Sequence, residues 1–171
     1  MKTPDIIQLE RIDFYNKEVP LRNKSFEVSD FGDEFQKEVD VLIDTFRKWK
    51  IAVGLSAPQI GIFKRFSIIN LDKSKVDDDL IMVNPEIKSL TGKKDRKKES
   101  CMSLPQVRGE VERRDKLVLV YQDRYGNKKE IKLEGFKSRV VQHEIDHLDG
   151  VLFVDRMSKD KVLEYLDMNW E

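Results

Sequence analysis

Both histidines of this 171-residue chain lie in one short segment, QHEIDH, at positions 142–147. If the segment is helical, His143 and His147 lie one turn apart on the same face, so their imidazoles can bind one metal ion. Glu144 would lie beside them, where it can take a proton from a water molecule at that ion. This HExxH pattern therefore predicts a helix that carries a hydrolytic metal site.

The sequence around this segment predicts an α+β fold. A first helix is expected over residues 31–50, where apolar side chains recur at helical spacing: Phe35, Val39, Leu42, Ile43 and Phe46. The small residues of 53–61 predict a loop. Strands are predicted at 66–71, 80–83, 86–90, 107–112, 116–121 and 128–134, with a hairpin turn at 123–127. We expect short, mostly antiparallel strands packed around a helix in the C-terminal half that carries HExxH.

Three further segments carry predictions of their own. Residues 72–79 and 92–98 are dense in charge and are expected to be solvated loops. Residues 158–167 are expected to form a last short helix that docks through its apolar side chains. At 171 residues, the chain is expected to fold as one domain over 1–171.

Composition limits the partners and the compartment that are expected. Lysine plus arginine and aspartate plus glutamate both number 32, so the net charge is zero and nucleic acid or an anionic membrane is not a favoured partner. A single cysteine cannot form an internal disulfide and fits a reducing compartment. No signal sequence or apolar stretch long enough to span a membrane is present in the sequence, so a cytoplasmic protein is expected.

Two histidines do not hold a catalytic metal by themselves, because such sites use three protein ligands and keep one position open. The chain matches the metzincin pattern HExxHxxGxxH as far as Gly150, but Phe153 stands where the third histidine should be. With no other histidine available, that class is excluded. Two candidates for the third ligand remain open: Glu164, as in thermolysin-like proteases, and Cys101, in a serine- and proline-containing segment between predicted strands.

Three segments together resemble the signatures of peptide deformylases, GxGxAAxQ, EGCxS and QHExDH. This chain shows AVGLSAPQ at 52–59, ESCMS at 99–103 and QHEIDH at 142–147, in the same order. The resemblance runs from about Leu21 to Met157. It implies that the metal ligands are Cys101, His143 and His147 and that Glu144 is the acid/base. It also implies two donors to the oxyanion, Gln59 and the backbone N–H of Met102.

The resemblance also implies an activity, a cofactor and partners. Peptide deformylases remove the formyl group from the N-terminal formylmethionine of newly made polypeptides and characteristically use one ferrous ion. Zinc, nickel or cobalt also suits these ligands. The expected partners are nascent formylmethionyl peptides and the ribosome near the peptide exit. The expected oligomeric state is a monomer. The alternatives are a hydrolase of another N-acyl or amide bond, or a non-catalytic metal-binding module at the ribosome. Glu144 and Gln59 argue against the module, since a structural site needs neither.

The chain departs from the family signatures at Ala52, Ser56, Ser100 and Met102. Ala52 and Ser56 replace a glycine and an alanine, and Ser100 replaces the glycine before the cysteine, near the expected path of the substrate backbone. The resemblance implies further contacts around the substrate: Val53, Gly54, Phe136 and Val140 around the methionine side chain, Arg139 at the pocket rim and Arg108 near the peptide backbone or carboxylate. It also implies an ion pair between Glu99 and Arg113 behind the metal loop.

Overall fold

Two α-helices and an antiparallel sheet make up the computed structural model, which describes residues 4–71, 79–158 and 162–166. In chain order the elements are α1 (Asp33–Lys48), β1 (Gly54–Ser56), β2 (Phe66–Ile69), β3 (Leu80–Cys101), β4 (Leu104–Gln122), β5 (Lys128–Glu134), α2 (Gly135–Leu148) and β6 (Glu164–Tyr165). Short 3-10 helices cover Arg11–Asp13, Pro20–Arg22, Ala57–Ile60 and Phe153–Arg156. The predicted α+β class is confirmed.

The sheet runs in sequence order. Each of β1 to β4 pairs antiparallel with the next strand, and β6 pairs with β4. Strands β3 and β4 form a long hairpin in which Cys101 lies opposite Leu104. The predicted hairpin turn at 123–127 joins β4 to β5, and its Asp123 side chain accepts the backbone N–H groups of Tyr125 and Asn127. Two parts of this sheet position the side chains of the candidate site: the β3–β4 turn and the short edge strand β1.

The prediction of a solvated loop at 92–98 is wrong, because these residues lie inside the continuous strand β3. Their charged side chains are exposed or partly exposed and pair across the ribbon, as Lys94 and Arg96 do with Glu112 on β4. The predicted strands at 107–112 and 116–121 likewise form one strand, β4. A charged segment can remain in a strand when a partner strand satisfies its backbone and supplies opposite charges.

The first helix is close to its predicted bounds and packs through the predicted stripe. Phe35, Val39, Leu42 and Phe46 are buried, and they join a cluster with side chains of β1, β2 and the segment before α1. Phe35 contacts Phe66 of β2 edge-to-face, with ring centroids 5.1 Å apart. The amphipathic pattern thus anchors α1 against the β1–β2 end of the sheet.

Helix α2 begins directly after β5 and packs against the face of the sheet. Val140, Val141 and Ile145 contact a cluster that includes Leu117, Leu119 and Leu133 of β4 and β5. Within the described residues, no helix is both long enough and apolar enough to cross a bilayer. The predicted HExxH helix is therefore present and held to the sheet by one apolar face.

The predicted C-terminal helix at 158–167 is wrong for the part that the structure describes. Residues 164–165 form β6 and pair with Val107 and Arg108 of β4, and the Leu166 N–H donates to the Gln106 carbonyl at 2.8 Å. Val162 is exposed rather than docked. The edge of β4 offers unpaired backbone groups that a short strand can satisfy, which a helix cannot do. The remaining residues of that prediction, 159–161 and 167, lie outside the described residues.

Candidate metal centre

The two histidines lie on the part of α2 that meets the β3–β4 turn. Their imidazole rings are one helical turn apart, with ring centroids separated by 5.0 Å. His147 is buried and His143 is partly buried. Because the apolar residues of α2 hold the helix against the sheet, both rings have fixed positions relative to that turn.

The β3–β4 turn brings Cys101 to the histidines. The Cys101 Sγ lies 3.2 Å from the His147 Nε2, and one donor atom from each of Cys101, His143 and His147 falls within 4.8 Å of the others. Metal–ligand bonds of about 2.0–2.3 Å place neighbouring donor atoms about 3.5 Å apart, so this spacing suits a single ion. The other candidate ligand, Glu164, binds Lys98 and Arg108 at the surface instead.

The electrostatics of this group suit a divalent cation. Burial opposes the thiolate form of Cys101, but the positive charge of His147 and hydrogen bonds from both histidines outweigh it and hold the pKa of the thiol well below its usual range. Burial also opposes the charged form of His143, yet bonds to Cys101 and Glu99 hold its pKa well above the usual value. A cation at this position would displace the proton in the hydrogen bonds between Cys101 and the histidines, because metal ligands must be deprotonated.

A buried carboxylate lies directly behind His143. The Glu99 Oε2 is 3.1 Å from the His143 Nδ1, so Nδ1 is bonded away from the cysteine and Nε2 is left for an ion. Arg113 donates to both Glu99 oxygens, at 2.8 and 2.9 Å, which confirms the predicted ion pair. Arg113 also binds Asp146 at 2.7 Å, and Arg139 binds Glu99 at 2.6 Å. Burial raises the pKa of Glu99, but the bonds from Arg113 and His143 lower it well below its ordinary value.

Glu144 is buried beside the histidines, and strand β1 determines where its carboxylate lies. The Ser56 hydroxyl is 2.6 Å from the Glu144 Oε2. A Cβ at Gly54 would come within 2.4 Å of the Glu144 Oε1, so only glycine allows this approach. Burial raises the pKa of Glu144, against the lowering effect of the two histidines and of the Ser56 bond.

The side-chain amide of Gln59 faces the same group from the 3-10 helix after β1. Its Oε1 accepts the Ser56 backbone N–H at 2.9 Å, and its Nε2 lies 3.1 Å from the Ser103 Oγ and 3.6 Å from the Cys101 Sγ. Gln59 is buried. Because Oε1 accepts the Ser56 N–H, the amide nitrogen is directed toward Ser103 and the Cys101 sulfur.

An open cavity of about 200 Å³ connects these groups. Most of the residues predicted to contact substrate line it, together with the candidate ligands Cys101 and His143 and with Glu144 and Gln59. These predicted residues are Val53, Gly54, Ser100, Met102, Phe136, Arg139 and Val140. Phe136 is half exposed at the cavity, whereas Arg139 is buried and bound to Glu99 rather than standing at a solvated rim.

Some site residues differ from the sequence-based expectation. Arg108 does not belong to the cavity lining. It pairs with Ser100 in the β3–β4 ribbon, and its Nε donates to Glu164 at 2.9 Å. Lys98 lines the cavity, and no pattern in the sequence distinguished it from the other lysines of the charged segment. Asp146 was visible inside the QHEIDH motif, but no pattern in the sequence identified its partners Arg113 and Arg156.

Comparisons with known proteins agree with this geometry. A family model for polypeptide deformylase matches residues 10–162. A peptide deformylase of Caldicellulosiruptor bescii is 41% identical over 149 residues, which cover 87% of this chain and 86% of the relative.

Solved structures give the same result. A peptide deformylase structure from Thermotoga maritima matches with a TM-score of 0.80 at 32% identity and covers 92% of this chain and 99% of that one. A Synechococcus elongatus peptide deformylase, solved in complex with actinonin, matches with a TM-score of 0.80 at 32% identity over 92% of this chain and 80% of its own length. The chain therefore belongs to the polypeptide deformylase family.

Proposed function

We propose that this chain hydrolyses the formamide bond of N-formylmethionine at the N-terminus of newly made polypeptides and releases formate, in the cavity between α2 and the β3–β4 turn. The observation that carries the proposal is the convergence in one place of one thiol and two imidazole metal donors, a buried carboxylate and an amide donor. Family membership supplies the reaction class, a metal-dependent amide hydrolysis.

We assign the ligand roles to Cys101, His143 and His147. A divalent ion held there would act as a Lewis acid toward water and the formyl oxygen. The protein's part is to orient the donors: Glu99 directs the His143 ring through Nδ1, and the β3–β4 turn directs the Cys101 sulfur. Ferrous iron is the proposed metal, by resemblance to the family; zinc, nickel and cobalt also accept this donor set.

Glu144 is the proposed acid/base. Its Oε2 is bound to Ser56, so Oε1 is the oxygen that takes the proton of the attacking water and gives it to the leaving amine. A carboxyl whose pKa is raised by burial suits a group that both accepts and returns a proton near neutral pH.

Gln59 and the backbone N–H of Met102 are the proposed donors to the oxyanion. Gln59 is held for this task by Ser56 and Ser103. Apolar residues at the cavity, Val53, Phe136 and Val140, would contact the methionine side chain, while Gly54 and Ser100, which also line the cavity, would lie along the substrate backbone. The contact between Arg108 and a peptide carboxylate stays a prediction.

The proposed setting is a monomer acting on nascent chains in the cytoplasm, near the ribosomal exit. Two features support it: the lone cysteine, which fits a reducing compartment, and the zero net charge, which does not favour direct binding to nucleic acid.

The test is anaerobic purification with metal analysis, followed by formate release from a formyl-methionyl tripeptide. We expect Glu144→Ala to lower kcat by about a hundredfold to ten-thousandfold, because general acid–base catalysis is lost. Glu34→Ala, on the exposed first turn of α1, is the matched control and should keep full activity. Equal activity in wild type and Glu144→Ala would refute the mechanism. No formate release from the iron-loaded wild type would point to another acyl substrate.

A further inference from the structure

Ser56 touches both residues to which we assign proton transfer and oxyanion binding. It lies at the end of β1 and is fully buried. Its backbone N–H donates to the Gln59 Oε1 at 2.9 Å, and its hydroxyl is 2.6 Å from the Glu144 Oε2. The family signature has alanine at this position, so the hydroxyl is a feature in which this chain departs from that signature.

The Ser56 hydroxyl has two acceptors within reach and only one proton. The Glu144 carboxylate is at 2.6 Å and the Glu144 backbone carbonyl is at 3.0 Å. A hydrogen bond to an ionised oxygen is both shorter and stronger than one to a neutral carbonyl, so the Ser56 hydroxyl donates to the Glu144 carboxylate. The bond therefore restrains the end of the Glu144 side chain.

The two carboxylate oxygens of Glu144 are consequently different. Oε2 is bound to Ser56, whereas Oε1 lies against Gly54 and accepts no hydrogen bond from the residues that the structure describes. Gly54 and Glu144 both line the cavity. Rotation of the carboxylate away from this orientation would break the Ser56 bond.

We propose that Ser56 is a positioning residue that holds the Glu144 carboxylate with Oε1 toward the reacting groups. This inference rests on the proposed function, since it assumes that Glu144 moves the proton. It acts through geometry: the substrate does not need to touch Ser56, and binding of substrate does not depend on it. The consequence is a contribution to kcat with no contribution to KM.

The first test is Ser56→Ala, which removes the hydroxyl but keeps the backbone N–H that binds Gln59. We expect kcat for the formyl-methionyl tripeptide to fall about tenfold, the scale of one hydrogen bond to a charged group. KM and bound metal per chain should stay at wild-type values. Ser67→Ala is the matched control: Ser67 pairs with Ser56 across β1 and β2, is equally buried, and its hydroxyl has no hydrogen-bond partner among the described residues.

The second test is a double-mutant cycle with Glu144→Asp, whose shorter side chain cannot reach Ser56. We expect Ser56→Ala to cause less than a twofold further loss in this background, because a residue that acts through Glu144 loses its effect once the contact is gone. An unchanged kcat in Ser56→Ala, or the same tenfold loss in both backgrounds, would overturn the inference. A wild type that releases no formate would instead overturn the proposed function on which the inference rests.

Discussion

Helices α1 and α2 are buried in different ways. In α1 the buried side chains are almost all apolar, and the helix rests on one stripe of Phe35, Val39, Leu42 and Phe46. In α2 most of the buried residues are polar or charged: Ser138, Arg139, Gln142, Glu144, Asp146 and His147. The first helix is held by removal of apolar surface from water, whereas much of the second is held by hydrogen bonds and ion pairs.

This difference separates stability from function within one sheet. Burying charged groups is costly unless each one is paired, so the residues around α2 do more to orient the metal ligands than to stabilise the fold. Glu99 shows this, since its two oxygens are divided among Arg113, Arg139 and His143. We therefore expect changes around α1 to alter the free energy of unfolding alone, and changes behind α2 to alter the site as well.

The largest effect on stability is expected from Arg113→Leu. It would leave Glu99 and Asp146 buried with one fewer cation, and breaking such a buried pair costs about 3–5 kcal/mol in the free energy of unfolding. Urea unfolding measures this loss. Arg114→Leu, on the next residue and exposed, is the control and should stay within about 0.5 kcal/mol of wild type. A stable Arg113→Leu protein would show that the pair is not required.

Leu42→Ala tests the α1 side of the comparison. Leu42 is fully buried, and deletion of such a side chain costs about 2–5 kcal/mol. We expect kcat per folded molecule to remain at the wild-type value well below the melting temperature, with the change measured by thermal unfolding and formate release together. Lys37→Ala, exposed on the same helix, is the control. A fall in kcat would mean that α1 is coupled to the metal group.

Glu99→Gln should weaken metal binding. The amide keeps the shape of the carboxylate but loses the charge that orients His143, and loss of such a partner typically lowers metal affinity about tenfold to a hundredfold. Competition with a chelator measures the affinity directly. Glu112→Gln, at an exposed pair on β4, should leave it unchanged. Equal affinities in the two variants would remove Glu99 from the site.

The smallest effect is expected at Asp123, a partly exposed carboxylate outside both helices. Partial burial at the β4–β5 turn raises the pKa of Asp123, but bonds from Asn127 and Tyr125 outweigh it and lower the value overall. A pKa that is lower in the folded state adds stability above the unfolded value of about 3.9, and this stability is lost as the pH falls through the folded value.

Urea unfolding at pH 7, 5 and 3 tests this point. Wild type should be slightly more stable than Asp123→Asn at pH 7 and pH 5, with the gap shrinking toward pH 3. Asp44→Asn, exposed on α1, controls for the loss of one negative charge. A gap that widened at pH 3 would contradict the expected sign.

The sequence predicted those parts of the molecule whose signal is local. The apolar spacing in α1, the QHEIDH helix and the turn at 123–127 each depend on residues close in the chain, and each is present. The solvated loop at 92–98 and the C-terminal helix failed because a strand partner decided the outcome in both cases. The charge density of 92–98 does not show that β4 lies opposite that segment. The helical spacing of 158–167 does not show that β4 has a free edge at Val107 with which that segment can pair.

By itself the sequence determined the class of chemistry, because histidines one turn apart with an adjacent glutamate need only a helix to act together. Only the tertiary structure decided which distant side chains complete the site. The β3–β4 turn places Cys101 beside the histidines, and β1 places Ser56 against Glu144. Glu164 instead pairs with Lys98 and Arg108. These contacts depend on which strands pair and in what register, and that requires two segments that lie far apart in the chain.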